Sequence, residues 1–116
     1  MEDLDIPILN KSYELYKIFY SYRTTVSRQD RYTLWQRCEN IILNILEGIL
    51  CASQLPKSEK LPILEKVSLH LNLLRIFVRL AKDIKVIDNN KYIKLQEIAD
   101  EIGRMLGGWI KSTKER

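Results

Sequence analysis

The amino-acid sequence predicts an all-α protein that folds as an antiparallel, up-and-down four-helix bundle. Apolar residues recur at spacings of three and four, which is the period of one helix face. The 116 residues include only four glycines and three prolines, and a sandwich or barrel that turns about every ten residues needs more. Turn signals divide the chain into four segments of helical length, and short loops between such segments favour antiparallel neighbours. We expect a single domain over residues 1–116.

The first two helices are predicted over about residues 7–25 and 30–54. Pro7 suits the first turn of a helix, because the N–H that proline lacks is not needed there. The segment Thr24–Val26 has low helix propensity, so helix 1 is expected to end close to it. Pro56 marks the turn that follows helix 2.

The last two helices are predicted over about residues 59–86 and 89–107. The segment Asp88–Asn90 between them supplies turn residues and an N-cap. Glycine is unfavourable inside a helix, so the pair Gly107–Gly108 is expected to weaken or end helix 4. Residues 111–116 then form a polar C-terminal tail.

Helices 2 and 3 each carry a second apolar stripe beside the one that a bundle core requires. The second stripes consist of Ile42, Leu46 and Ile49 on helix 2, and of Leu69, Leu73, Ile76, Leu80 and Ile84 on helix 3. These stripes can be explained by deeper burial within the monomer or by an interface between subunits. We favour the interface, because a bundle of this size has little interior, and we therefore expect a homo-oligomer.

Composition indicates a soluble cytoplasmic protein. The formal net charge of +4 permits an anionic partner without demanding one. The segment Met1–Asp5 is acidic and lacks the pattern of a secretory signal, and no apolar run approaches the roughly 20 residues of a membrane span. Cys38 and Cys51 lie in helical apolar segments, so we expect both to be buried or half-buried free thiols, which suit a reducing cytosol.

No motif in the sequence predicts catalysis, a metal site or a cofactor. Gly103 and the later glycines follow an apolar helix instead of opening one after a strand, so they do not form a phosphate-binding loop. His70 is the single histidine, and it lacks the glutamate three residues earlier that a Glu-x-x-His metal site needs. We therefore expect a protein that is not an enzyme and has no cofactor and no small-molecule substrate.

Basic residues give the most informative functional pattern. Arg75, Arg79 and Lys82 are spaced by four and three residues, so they line one face of helix 3. Such a stripe is suited to phosphate contacts, but exposed charges also serve solubility, and the sequence alone leaves both interpretations open. Oligomerisation would favour the interpretation as a phosphate-binding stripe, because a symmetric ring repeats a small basic patch in every subunit. The predicted nucleic-acid-binding residues are Arg75, Arg79, Lys82, Lys85, Arg104 and Lys111.

Several segments carry a resemblance to a known family. They are Ile6–Ile8 with Tyr13–Tyr16, Gln36–Asn40, Leu74–Lys82 and Ile102–Lys111. The last segment is the most specific, because no packing requirement dictates its order of small and large residues. Together these segments resemble the accessory variability determinant (Avd) proteins of diversity-generating retroelements, over nearly the whole chain. The segment Asn44–Gly48 is also similar to an element of the four-helix-bundle proteins encoded within intervening sequences of 23S ribosomal RNA genes, although bulky Ile42 and Leu43 precede it here.

The Avd resemblance implies a homopentameric ring with a positively charged surface. It also implies binding to the reverse transcriptase of the retroelement and to template RNA or an RNA–DNA hybrid. The protein would then support mutagenic retrohoming, the error-prone copying of a template repeat into a variable gene, without catalysing a step. Two alternatives remain: a purely protein-binding helical scaffold, and an intervening-sequence-type bundle of unknown role.

Overall fold

A computed structural model describes residues 6–115, and these residues form four long helices and no strand. The helices are α1 (Pro7–Ser21), α2 (Leu34–Ser53), α3 (Lys57–Asp83) and α4 (Asn89–Lys114). A 3-10 turn (Arg23–Thr25) and a short helix (Arg28–Arg31) connect α1 to α2. The predicted all-α fold class is thus confirmed over the described residues.

The four long helices pack as a bundle in which each helix contacts two others: α1 with α2 and α4, and α3 with α2 and α4. Side-chain pairs show the antiparallel direction of α1 and α2. The Tyr16 hydroxyl donates to Glu39 at 2.9 Å, and Phe19, three residues later, stacks on Trp35 with ring centroids 3.7 Å apart. Phe19 and Trp35 are both buried, and burial of a side chain of this size contributes about 1.5–3 kcal/mol.

The connection between α1 and α2 differs from the prediction of helices over 7–25 and 30–54. Helix α1 ends at Ser21. The Ser27 hydroxyl accepts from the Asp30 N–H at 3.3 Å and caps the short helix, and the Arg31 Nε donates to the Val26 carbonyl at 3.1 Å. The predicted boundaries are wrong here because polar side chains satisfy the backbone locally and compete with continuation of the helices.

Helix α3 spans Lys57–Asp83, whereas the sequence predicted 59–86. Its end is a Schellman motif, in which the N–H groups of Lys85 and Val86 donate to carbonyls of the last helical turn at 3.0 and 2.8 Å. Lys85 occupies the left-handed position of this motif, with φ of 65°. The motif satisfies carbonyls that would otherwise accept helical hydrogen bonds, so the helix ends before residue 86.

Helix α4 continues to Lys114, so its predicted end at residue 107 and the predicted polar tail over 111–116 are wrong. The tail's last residue lies outside the described residues. Trp109 and Ile110 pack against the core, and this burial offsets the cost of about 1 kcal/mol for each residue of the pair Gly107–Gly108 in a helix.

The second stripe of α2 does not form a free surface. Ile42 and Ile49 are fully buried and Leu46 is half-buried. The interface predicted for this stripe is therefore wrong. The physical reason is that α2 contacts both α1 and α3, so it buries a wider arc than a single core-facing stripe.

The two thiols differ in environment. Cys38 is buried, and burial raises its pKa to about 12. Cys51 is exposed, so the expectation of a buried or half-buried thiol is wrong at that position. Cys51 lies with Glu47 and His70 in the lining of a cavity of about 410 Å³ between α2 and α3.

Gly48 permits the close approach of α2 to α3, and its replacement gives a test of this packing. A Cβ at residue 48 would lie 2.5 Å from the Cγ2 of Val67, and a β-branched side chain has little freedom to move away. We expect Gly48→Ala to lower the free energy of unfolding by about 1–2 kcal/mol, because overpacking exceeds the gain in helix propensity.

The matched control is Gly107→Ala in α4, where nothing lies within 4 Å of the added Cβ. Here helix propensity acts alone, and we expect stabilisation by about 0.5–1 kcal/mol. Urea unfolding of both variants measures the two effects. Stabilisation by Gly48→Ala would contradict the close packing of α2 on α3.

Candidate nucleic-acid interface

Arg75 lies between α3 and α4, where its charge is used within the chain. Its Nη2 donates to the Asp100 carboxylate at 3.1 Å and to the Ala99 carbonyl at 3.3 Å. Gly103 leaves the space that the guanidinium occupies, because a Cβ there would lie 2.6 Å from Nη2. The sequence placed Arg75 in an exposed stripe, but the side chain is half-buried and paired with an acidic group.

The other two residues of the predicted helix 3 stripe have different environments. The Lys82 Nζ lies 4.6 Å from the ring centroid of Tyr92 on α4 and 3.6 Å from a carboxylate oxygen of Asp83. Arg79 is exposed, and no residue in the described part of the chain forms a salt bridge with it. Of the three residues in the stripe, only Arg79 therefore presents an unpaired charge to solvent.

The three remaining predicted residues are exposed. Lys85 lies just beyond the end of α3, while Arg104 and Lys111 lie on the outer side of α4. Arg104 is one helical turn and Lys111 three turns beyond Asp100, so both continue the stripe of α4 that contacts α3 at Arg75. No salt bridge involves Lys85, Arg104 or Lys111 within residues 6–115.

All six predicted residues lie along the side of the bundle formed by α3 and α4, which we term the basic band. Arg75 on α3 contacts Asp100 on α4, so these two residues lie at the same height along the bundle axis. From that height Lys85 lies about ten residues towards one end of the bundle, and Lys111 lies eleven residues towards the other end. At about 1.5 Å per residue the basic band is roughly 30 Å long. Among the described residues, the cations of the band that form no salt bridge are Arg79, Lys85, Arg104 and Lys111.

Lys91 is not among the residues that the sequence predicted. This residue lies in the first turn of α4, and its Nζ pairs with Asp88 at 3.1 Å. Together with Lys82 and Lys85 it lines a cleft at the end of the bundle. The signal that could have identified it is the clustering of three lysines on both sides of a predicted turn, instead of along one helix.

The second stripe of α3 forms an apolar surface on the side of the helix opposite the core. Leu69 and Ile76 are 65% and 63% exposed. Leu80 and Ile84 are also exposed, and Leu73 is half-buried. The second stripe predicted for helix 3 is therefore an exposed surface, and it has no partner in the described chain.

A separate apolar surface lies across α1 and α2. It contains Tyr13 and Tyr20 on α1 and Leu43 and Leu50 on α2, all of them exposed. Tyr16 lies between them, and its hydrogen bond to Glu39 raises its pKa. Within the described residues these two apolar surfaces belong to different helices, and Ile93 on α4 is exposed as well.

The described residues contain no group of three or more His, Cys, Asp or Glu side chains that could hold a metal ion. His70 is half-buried on α3 beside the cavity that contains Cys51. None of the described helices has the length and apolar character needed to cross a membrane.

Comparison with known proteins gives one informative result. Residues 7–113 match the family described as bAvd-like. No curated protein matches the chain. The matched family is an accessory, non-catalytic one, and the match covers nearly the whole sequence, including all four long helices except the last residue of α4. The chain therefore belongs to the bAvd-like family, in agreement with its resemblance to the Avd proteins.

Proposed function

We propose that this protein is a non-catalytic accessory subunit of a diversity-generating retroelement. In this proposal it assembles into a ring, binds template RNA or an RNA–DNA hybrid through the basic band, and binds the reverse transcriptase. Membership of the bAvd-like family supports the accessory role. The observation that carries the rest is that one helix, α3, combines an exposed apolar surface with the exposed cation Arg79, and within residues 6–115 neither has a partner.

The two apolar surfaces support assembly into a ring. An interface that joins two different surfaces is heterologous, and heterologous interfaces close into rings when the rotation permits. The α3 surface around Ile76 would pack against the α1–α2 surface around Tyr13 of the next subunit. The Avd resemblance suggests five subunits.

Assembly explains how a modest basic band serves nucleic-acid binding. Each chain supplies four cations in the band that form no salt bridge in its described part, and a ring repeats them around its circumference. Binding of one strand by several subunits raises the effective affinity without new kinds of contact. Contacts of this type are made mainly to phosphates, so binding is expected to show little sequence preference and strong dependence on salt.

The test is titration of a fluorescent template RNA, and of an RNA–DNA hybrid, with the purified protein at about 50 and 200 mM salt. We expect binding at the lower salt concentration and a loss of affinity of about 10³-fold or more at the higher one, as for a protein that makes six or more phosphate contacts. Purified reverse transcriptase of the retroelement should also be retained by the immobilised protein. Absence of RNA and hybrid binding by a folded oligomer at low salt would refute the nucleic-acid part of the proposal.

A second candidate function is a purely protein-binding scaffold. The pairing of Arg75 with Asp100 and of Lys82 with Asp83 favours it, because these cations are partly neutralised within the chain. The scaffold predicts retention of the reverse transcriptase without RNA affinity, so the same two measurements distinguish the candidates.

A further inference from the structure

The cleft at one end of the bundle combines several phosphate-binding groups. It has a volume of about 520 Å³ and lies where the α1–α2 connection meets the turn between α3 and α4. Its polar lining consists of Thr25, Lys82, Lys85, Asp88, Asn89 and Lys91. The lysines come from the last turn of α3, from the Schellman motif and from the first turn of α4, so the fold brings three ammonium groups to one cavity.

The single carboxylate of the lining does not neutralise the cleft. Asp88 accepts from the backbone N–H of Lys91 at 2.8 Å and from its Nζ at 3.1 Å. These two hydrogen bonds lower the pKa of Asp88, so this carboxylate stays ionised and holds Lys91 in place. Lys85 has no salt-bridge partner among the described residues. Lys91 is paired with Asp88 and Lys82 with Asp83, which lies outside the lining. Three cations beside these two carboxylates still leave one net positive charge, and Lys85 is the lining cation that carries it.

The lining also has a rigid, apolar part. Val86 and Ile87 form one wall of the cleft and are buried in the core. Charges beside such a wall are less screened than charges on an open surface, and this strengthens their attraction for an anion. Asn89 adds a side-chain amide, which is a donor suited to phosphate oxygens. The Thr25 hydroxyl donates to the Tyr22 carbonyl at 2.7 Å.

Lys85 is an unusual residue for its backbone position. It is the only residue other than glycine with positive φ in the described part of the chain. Glycine is the usual residue at this position of a Schellman motif, because it has no Cβ to strain. The turn does not explain a lysine there, whereas the ammonium group that it adds to the cleft does.

We infer that this cleft binds a phosphate monoester, the dianionic group found at the phosphorylated end of a nucleic-acid strand. Cations that converge on one cleft match a dianion better than they match the single charge of an internal phosphodiester. Successive phosphodiesters of a strand are better matched by cations that are spread along a band. The cleft adjoins the basic band at Lys85, so a strand that ends in the cleft can continue along Arg79 and Arg104. That the phosphate belongs to a nucleic-acid strand rests on the proposed function, whereas the phosphate site itself does not.

The experiment compares short RNA strands of one sequence that carry a 5′-phosphate, a 3′-phosphate or hydroxyls at both ends. Fluorescence anisotropy at low salt measures their affinity for the assembled protein. We expect a terminal phosphate to strengthen binding about tenfold or more, the size of one charged hydrogen bond. Inorganic phosphate and adenosine monophosphate, followed by NMR shifts of Lys85 and Asn89 amides, test whether the site accepts the free group.

The decisive variant is Lys85→Gly, which removes the cation and relieves the backbone strain. We expect it to abolish the preference for a phosphorylated end while the thermal midpoint stays equal or rises. Lys91→Gln should weaken the preference as well. The matched control, Arg104→Gln, lies outside the cleft and should lower the affinity of all three strands by the same factor.

Each result separates this inference from the proposed function. Equal affinity for phosphorylated and unphosphorylated strands would overturn the inference and leave nucleic-acid binding intact. Survival of the preference in both Lys85→Gly and Lys91→Gln would also overturn the assignment to this cleft. If no strand binds, the nucleic-acid function fails, while shifts of the Lys85 and Asn89 amides with phosphate would still support the site and their absence would refute it.

Discussion

The double variant Leu69→Glu, Ile76→Glu is expected to abolish assembly of the protein while its helices remain folded. Both side chains are nearly two-thirds exposed in the isolated chain, and glutamate is a good helix former. Burial of one such apolar side chain in an interface contributes about 1.5–3 kcal/mol. Replacement by two carboxylates removes that contribution and adds a desolvation penalty at every interface of a ring.

Sedimentation velocity measures this effect, with circular dichroism as the test of folding. A control on the same helix is Asn72→Glu, which introduces one negative charge, half the change of the double variant, at an exposed position outside the apolar surface. The Asn72 side-chain oxygen accepts from Arg75 at 3.2 Å, and a glutamate can keep that interaction. Assembly of the double variant at the wild-type level would show that the α3 surface is not an interface.

Loss of assembly is also expected to weaken RNA binding, because single chains lose the advantage of repeated sites. Multivalent binding commonly exceeds the affinity of one module by about 10²–10⁴. A monomeric variant with undiminished RNA affinity would therefore contradict the role of the ring, although not the basic band itself.

The second large effect is expected from Arg79→Glu combined with Arg104→Glu, which reverses two unpaired charges of the basic band. We expect RNA affinity at low salt to fall at least about a hundredfold, and the slope of log affinity against log salt to decrease by about one for each lost phosphate contact. The fold should be unaffected, because neither side chain forms a salt bridge within the described residues. Anisotropy titrations over a salt series give both quantities.

The control for this variant is Arg37→Glu on α2 combined with Lys94→Glu on α4, which makes the same change in net charge at residues outside the basic band and outside both apolar surfaces. Both control residues are exposed. An equal loss of affinity in the two double variants would indicate a response to net charge alone. No loss in the band variant would favour the protein-binding scaffold.

The sequence predicted the helical class and the α3 apolar surface because both depend on local periodicity. A stripe such as Leu69, Ile76 and Leu80 is visible in the spacing alone, and its exposure follows from its position opposite the core stripe of the same helix. The approximate positions of the four long helices could be predicted for the same reason.

The parts that could not be predicted depend on contacts between distant segments. Helix α4 passes through Gly107–Gly108 because Trp109 packs on the core, and tertiary packing of this kind overrides propensity. Arg75 is half-buried because Asp100, far away in sequence, lies across the helix interface. Burial of the α2 second stripe likewise depends on two neighbouring helices, so spacing within α2 could not distinguish core from interface.

The residues of the candidate site come from more than one helix, and this limited what the sequence could predict about it. The residues of the basic band were selected one helix at a time, and of the helix 3 stripe Arg79 is the residue that is exposed in the structure. The cleft combines residues from the end of α3 and the start of α4, so a search along one helix at a time does not find Lys91. Only the turn geometry brings it to Lys85.

The most direct test of the central proposal, that copies of this chain assemble through α3 and combine their basic bands, is the molar mass of the wild-type protein by light scattering at micromolar concentration. The chain mass is 13.7 kDa. We predict a stable species whose mass is an integer multiple of that value, with a multiple of five suggested by the Avd resemblance. A well-folded monomer at the same concentration would contradict the proposal.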